Sequence, residues 1–305
     1  MELPNFSASR FLPGGHLQTI VAHLLPVPSI PGPFERWIVE LEDGDELWCR
    51  FYAGTSGRTV VLFHGLGGSA DSKYMQIFGT SARKAGHTVL LVNHRGSGEG
   101  LARARGIYHS GAIKDVAAVI RYVRKKRPTD HLVAVGISLS ANLLLNAAAL
   151  LSSDLPDQIY SFNPPIDLHK TAACLLQPSN FVYDQKFVRD LKINLAERMA
   201  AGAISEVPSL PRFCRLVDFD ELVTAPWAGF KSRDDYYTKC SSRNHMERVQ
   251  VPSTIVMSDD DPFIPTESFK DVSFPKNVRL HLVRGGGHVG YLDQGRWLSR
   301  FDFSS

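Results

Sequence analysis

From residue 59 onward the chain alternates between short, uninterrupted apolar runs and longer stretches in which apolar residues recur at three- and four-residue spacing. The runs are 59–63 (TVVLF), 88–92 (TVLLV), 132–136 (LVAVG), 159–162 (IYSF), 254–257 (TIVM) and 278–283 (VRLHLV). A run that is apolar at every position suits a strand buried on both faces. The pattern therefore predicts a mainly parallel sheet with helices on both sides, an α/β fold. Helices are expected over 73–85, 113–126 and 140–151. In the second of these, Ile113, Val116, Ala117, Ile120 and Val123 share one face, and Pro128 ends it. Upstream, two strand-like runs within 36–52 flank Asp43-Gly44-Asp45, a hairpin turn. Residues 1–35, rich in Pro and Gly, read as an arm laid on the core. After residue 163 the alternation breaks. Residues 164–248 hold no clear strand, only a helix-like stretch at 184–203 and an aromatic-rich one at 213–237. That is too long for a loop and reads as a helical cap over the sheet's carboxyl edge. The core is then 36–163 together with 249–305.

Composition narrows the function classes. Hydrophobic residues make up 44% and charged residues 21%, which fits a packed globular chain and not a disordered one. The net charge is only +3, and the one dense basic run, 121–127 (RYVRKKR), falls at a helix end, where cations complement the dipole. Nucleic acid is not an expected partner. The four cysteines, Cys49, Cys174, Cys214 and Cys240, form no CxxC pair, so neither a disulfide framework nor a zinc site is expected. A reducing, cytoplasmic compartment follows as the expectation. The first twenty residues lack the charged and apolar regions of a secretory signal. The apolar segment 132–151 carries two Ser, two Asn and a Gly, and is better read as strand, turn and buried helix than as a membrane span. Peripheral contact with a membrane stays open.

The candidate chemistry lies at strand ends. The run 132–135 leads into Gly136-Ile137-Ser138-Leu139-Ser140 and then an apolar helix, the setting of a nucleophile elbow that lifts the Ser138 hydroxyl out of a tight turn. The run 278–283 leads into Gly285-Gly286-Gly287-His288, a loop able to carry a general base. The run 254–257 leads into Asp259-Asp260-Asp261-Pro262-Phe263-Ile264-Pro265. The spacing to Ile264-Pro265 favours Asp261 as the carboxylate that orients the base, with Asp260 as the alternate; the remaining acids are free to cap a helix or do nothing. The chain order Ser…Asp…His, each after a parallel strand, belongs to α/β-hydrolases. The first parallel run ends in His64-Gly65-Leu66-Gly67-Gly68, so the backbone N–H groups of Leu66 and Leu139 are the candidate oxyanion donors.

These motifs, with Pro13-Gly14-Gly15-His16-Leu17-Gln18-Thr19, Asn93-His94-Arg95-Gly96, Tyr108-His109-Ser110-Gly111, Phe162-Asn163-Pro164-Pro165, Asp218-Phe219-Asp220 and Gly286-Gly287-His288-Val289-Gly290, resemble the YheT-like α/β-hydrolases over nearly the whole length. The resemblance implies the α/β-hydrolase fold and an acyl-ester hydrolase or acyltransferase. It implies a helical cap, no metal or other cofactor, and a small-molecule acyl ester or lipid as substrate. It places the triad on Ser138, Asp261 and His288. Two departures stand out. Ser140-Ala141 replaces the family's usual Gly-Gly, and the Arg-Gly-Ser-Gly-Glu stretch is one residue short. Phe181, Tyr183, Phe187, Trp227, Phe230 and Tyr236 are candidates for an apolar acyl pocket. His64, His94 and His109 are expected to hold loops by hydrogen bonds, Arg95 and Glu99 to pair, and Asp115 to be structural.

Overall fold

The computed structural model describes residues 3–293 and 295–304. Its first element is a helix, α1 (Gly15–Leu24), inside the stretch whose Pro and Gly content conceals it. The sheet follows in the order anticipated from the apolar runs. Strands β1 (Glu35–Glu40) and β2 (Glu46–Tyr52) form a hairpin about Asp43-Gly44-Asp45. Next come β3 (Arg58–Phe63), α2 (Lys73–Lys84), β4 (Thr88–Val92), α3 (Ile113–Lys126), β5 (His131–Ile137), α4 (Leu139–Leu150) and β6 (Gln158–Phe162). After an insertion containing α5 (Leu168–Leu175) and α6 (Phe181–Ala200), the chain returns through β7 (Ser253–Ser258) and β8 (Val278–Val283). The eight strands lie in the order β1-β2-β4-β3-β5-β6-β7-β8. The β1–β2 and β2–β4 pairs are antiparallel and the others parallel.

The uninterrupted apolar runs are explained by burial on both faces. Along β3, Val61 and Phe63 join the core beside α3 and α4, while Val60 and Leu62 join the core beside α2. Leu132 and Ala134 of β5 face the first core, and Val133, Val135 and Ile137 the second. A charge at any of these positions would be stranded without water. A third cluster joins the insertion to the carboxyl edge of the sheet: Leu175, Val188, Leu195, Phe219 and Val223 pack with Met257, Phe263 and Ile264. The segment 132–151 is β5, the turn and α4. Among the described residues no helix is long and apolar enough to cross a membrane.

The loops after β4 are held by an ion cluster unlike the pair expected from sequence. Arg95 does not meet Glu99. It grips Asp115 at the start of α3 with two bonds of 2.7 and 2.9 Å, and reaches Asp45 and Asp43 of the hairpin turn, each at 2.6 Å. Glu99 instead pairs with Arg50 at 3.1 Å. The hairpin turn brings two carboxylates to the end of β4, and Asp115 adds a third, so the guanidinium turns to the greater charge. Asp45 also accepts the backbone N–H groups of Arg105 and Gly106. Removing the cation leaves Asp45 and Asp115 buried without it. Arg95→Ala should therefore lower the unfolding free energy by about 3–5 kcal/mol, read from urea denaturation; a loss under about 1 kcal/mol would show that these carboxylates are adequately solvated without Arg95.

Candidate active site

Ser138 sits between β5 and α4 with φ 55° and ψ −119°. A side chain rarely takes this conformation, and its cost is of order 1–3 kcal/mol. Flanking bonds hold it: the Ser138 N–H donates to Phe162 O at 2.9 Å, and its carbonyl accepts from Ala141 N–H at 2.9 Å. Strand and helix pass so closely that a Cβ on Gly136 would lie 2.6 Å from the Ser140 carbonyl. The tight turn keeps the Ser138 hydroxyl at the carboxyl edge of the sheet.

The Ser138 Oγ lies 3.0 Å from His288 Nε2, and His288 Nδ1 lies 2.8 Å from Asp261 Oδ2. The three consecutive aspartates are distinguished by what they hold. Asp259 accepts the N–H of Gly285 at 2.6 Å, and Asp260 that of Gly287 at 2.8 Å. These two fix the backbone of the glycine loop, and Asp261 fixes the imidazole that the loop presents. The Asp261 side chain is fully buried, which is tolerable because donors surround it. Oδ1 accepts the N–H groups of Phe263 and Ile264 at 3.1 and 3.0 Å, and Oδ2 accepts from Asn163 Nδ2 at 2.7 Å as well as facing the imidazole. The Phe263 ring packs on the imidazole, with centroids 4.1 Å apart.

Two further supports escaped the sequence reading. Asn163, just after β6, bonds Asp261 and the Gly287 carbonyl through its amide nitrogen and accepts the Tyr291 hydroxyl at 2.7 Å. A polar residue at the end of a buried strand, between the strands bearing Ser138 and Asp261, was the available signal. The second is α1. Thr19 Oγ1 accepts the His288 N–H at 2.8 Å, and Gln18 bonds both the N–H and the carbonyl of Leu292. The fit is close enough that a Cβ on Gly287 (φ 58°) would lie 2.3 Å from the Gly15 carbonyl. The resemblance marked the Pro-Gly-Gly-His-Leu-Gln-Thr stretch, but its place against the histidine loop is a tertiary fact.

The loop after β3 is aimed by a chain of bonds. The Gly65 carbonyl accepts from His64 Nδ1 at 2.8 Å and from Gly68 N–H at 3.1 Å. That carbonyl and the Leu66 N–H belong to one planar trans peptide, so fixing the first directs the second the opposite way. Since Nδ1 donates, the remaining ring nitrogen of His64 accepts the His94 N–H at 3.2 Å. Burial pushes the His64 imidazole down to about 4 and that of His94 well below its ordinary value, so both are neutral near pH 7. Among the described residues neither the Leu66 N–H nor the Leu139 N–H donates to a protein group.

Ser140, the departure from the usual glycine, is the junction beneath this loop. Its hydroxyl donates to the His64 carbonyl and accepts from Tyr108 O–H at 2.8 Å and from His94 Nε2–H at 2.7 Å. The Tyr108 and His94 rings stack, with centroids 3.8 Å apart. The serine thus ties the ends of β3 and β4 to the start of α4.

A cavity of about 710 Å³, counting its open mouth, adjoins Ser138, Leu66 and Leu139 and runs under the insertion. Of the six aromatic candidates, Phe187 and Tyr236 line it. The other four do not. Phe181 is 52% exposed, with its ring under the Arg215 guanidinium. Tyr183 stacks on His16 and touches Phe263, Phe230 packs on His109 and Tyr236, and Trp227 packs within the insertion. The lining comes mostly from smaller residues, among them Leu168, Ala172, Leu175, Leu191 and Leu216. Composition marks aromatics, but helix phase decides which side they face.

A serine, an imidazole and a carboxylate at the edge of a doubly wound sheet, in this chain order, are the arrangement of α/β-hydrolases. The chain belongs to the alpha/beta hydrolase family, whose model matches residues 60–301. It is 30% identical to the putative esterase YheT of Escherichia coli over 94% of this chain and 88% of that one. It is 26% identical to the medium-chain fatty acid ethyl ester synthase/esterase 2 of Saccharomyces cerevisiae over 77% of this chain, and spans 58% of the yeast protein. Among solved structures, the esterase Pf2001 of Pyrococcus furiosus shares the fold, with a TM-score of 0.58 at 17% identity over 87% of this chain and 91% of that one.

Ser140→Ala would leave the buried His94 Nε2–H without its acceptor, remove the hydroxyl's bond to the His64 carbonyl and leave Tyr108 O–H only its longer contact of 3.4 Å to that carbonyl. We expect it to lower the unfolding free energy by roughly 2–4 kcal/mol. An unchanged urea midpoint would mean that the junction is not held by the hydroxyl.

Proposed function

We propose that the protein is a serine esterase that cleaves carboxylic acyl esters through an acyl-enzyme on Ser138. The observation that carries this reading is the pair of contacts at His288, 3.0 Å to the Ser138 hydroxyl and 2.8 Å to the Asp261 carboxylate. His288 Nε2 takes the Ser138 proton as Oγ attacks the ester carbonyl. Asp261 keeps the other proton on Nδ1 and stabilises the imidazolium. The carbonyl oxygen, now negative, is received by the Leu66 and Leu139 N–H groups. His288 passes its proton to the leaving alcohol. A water then enters, gives its proton to His288 and releases the acid; the proton returns to Ser138.

The apolar cavity beside Ser138 supports an acyl chain of short to medium length or lipid origin. The insertion over 164–248 acts in this reading as the cap that keeps the chain dry. Transfer of the acyl group to an alcohol uses the same residues. It is the second reading, favoured by the yeast relative, which is named both synthase and esterase. The four unpaired cysteines fit action in the reducing cytoplasm.

The test is turnover of p-nitrophenyl acyl esters of increasing chain length. Ser138→Ala should reduce it to background with little change in the thermal melt. Asp261→Asn should cost about three to four orders of magnitude in kcat, through the wrong imidazole tautomer. Asp260→Asn, which touches the Gly287 N–H and the Ser258 hydroxyl but not the imidazole, should cost much less. Full activity in Ser138→Ala would refute the reading, and a larger loss at Asp260 than at Asp261 would reassign the acid.

A further inference from the structure

The cavity wall is not uniformly apolar. Where it is built by α5, the π-helical turn Asp220–Thr224 and the helix Arg233–Cys240, it carries Thr171, Asp220, Thr224, Tyr236 and Tyr237. Asp220 is the unusual member. It stands on the π-helical turn of the insertion, largely buried, and lines the cavity. The Tyr237 hydroxyl donates to Oδ2 at 2.6 Å, and the Thr224 hydroxyl lies close by. Among the described residues no Lys, Arg or His forms an ion pair with it. A carboxylate has about four acceptor sites, so two hydroxyls leave roughly half its capacity unfilled. Burial pushes the carboxyl up to about 6.

Two other groups on this wall are also short of partners. The Thr171 hydroxyl is buried without a hydrogen bond. The Tyr236 hydroxyl accepts the Ser110 N–H at 3.1 Å, and among the described residues nothing receives its own proton. An unsubstituted acyl chain filling the cavity would press methylene groups against an under-bonded carboxylate, displacing water without replacing its bonds. A chain with a hydroxyl at the right carbon would donate to the carboxylate instead, in a charge-assisted bond. A site built around such an acceptor discriminates strongly against the analogue lacking the donor.

We propose that Asp220 is a specificity residue and that the preferred substrate is an ester whose acyl chain carries a hydroxyl group positioned to donate to it. The inference rests on the esterase reading of Ser138 and adds the class of acyl group. The bound chain lies along the cavity from the ester carbonyl at Ser138, with its hydroxyl paired to Asp220.

The experiment compares kcat/KM of the full-length protein for p-nitrophenyl decanoate and for a set of decanoates bearing one hydroxyl at successive carbons. One position should exceed the unsubstituted ester by about tenfold or more, and neighbouring positions should not. In Asp220→Leu combined with Tyr237→Phe, which removes both partners of the bond, that ratio should fall to about one, whatever happens to the overall rate. Asp220→Asn should lower it less. If no hydroxylated ester surpasses the plain one in the wild type, the proposal is wrong, and this comparison needs no variant to fold. A ratio that persists in the double variant assigns the preference elsewhere and also overturns it. Failure of every ester, plain and hydroxylated alike, would refute the esterase reading itself.

Discussion

The contact on which the rest of the site depends is that between the Asp261 carboxylate and the His288 imidazole. An imidazole on a loop with three glycines behind it has no intrinsic reason to face a serine across the sheet. Here it does so because Asp261 holds its ring, Asp259 and Asp260 hold the backbone that carries it, and Thr19 of α1 holds its own N–H. The carboxylate is fixed in turn by two backbone N–H groups and Asn163. The aspartate run thus orders a loop whose glycines would otherwise leave it loose, offsetting the entropy lost on ordering it.

The site divides its tasks between layers. The parallel sheet brings the ends of β3, β5, β7 and β8 to one edge, which places a backbone donor, a hydroxyl, a carboxylate and an imidazole within reach of one another. Strained backbone at Ser138 is bearable there because both-face burial leaves the strands little freedom. The Ser140 junction then fixes the loop after β3 relative to the elbow. The insertion adds none of the three central side chains. It supplies most of the cavity wall.

Much of this was legible from pattern alone. Apolar runs uninterrupted at every position pointed to doubly buried parallel strands, and a serine, an aspartate and a histidine each following such a run are the residues the structure brings together. Register among the three aspartates came from the Ile264-Pro265 spacing. The functions of Asp259 and Asp260 did not, because their partners are backbone N–H groups some 26 and 27 residues away. Helix α1 was hidden by its glycine and proline flanks, and its grip on the histidine loop spans 269 residues. The aromatic pocket was mostly misassigned, since aromatic content alone does not say which way an inserted helix is turned. Arg95 was paired with a sequence neighbour when three carboxylates brought up by the fold were stronger partners. Ser140, read only as a departure from the usual glycine, is a bonded junction.

The account is tested most directly by a structure of the protein after reaction with a fluorophosphonate. It predicts a phosphonyl group bonded to Ser138 Oγ, its free oxygen within about 2.7–3.1 Å of the Leu66 and Leu139 nitrogens and His288 still held by Asp261. An unmodified Ser138, or an adduct whose oxygen points away from both nitrogens, would contradict it.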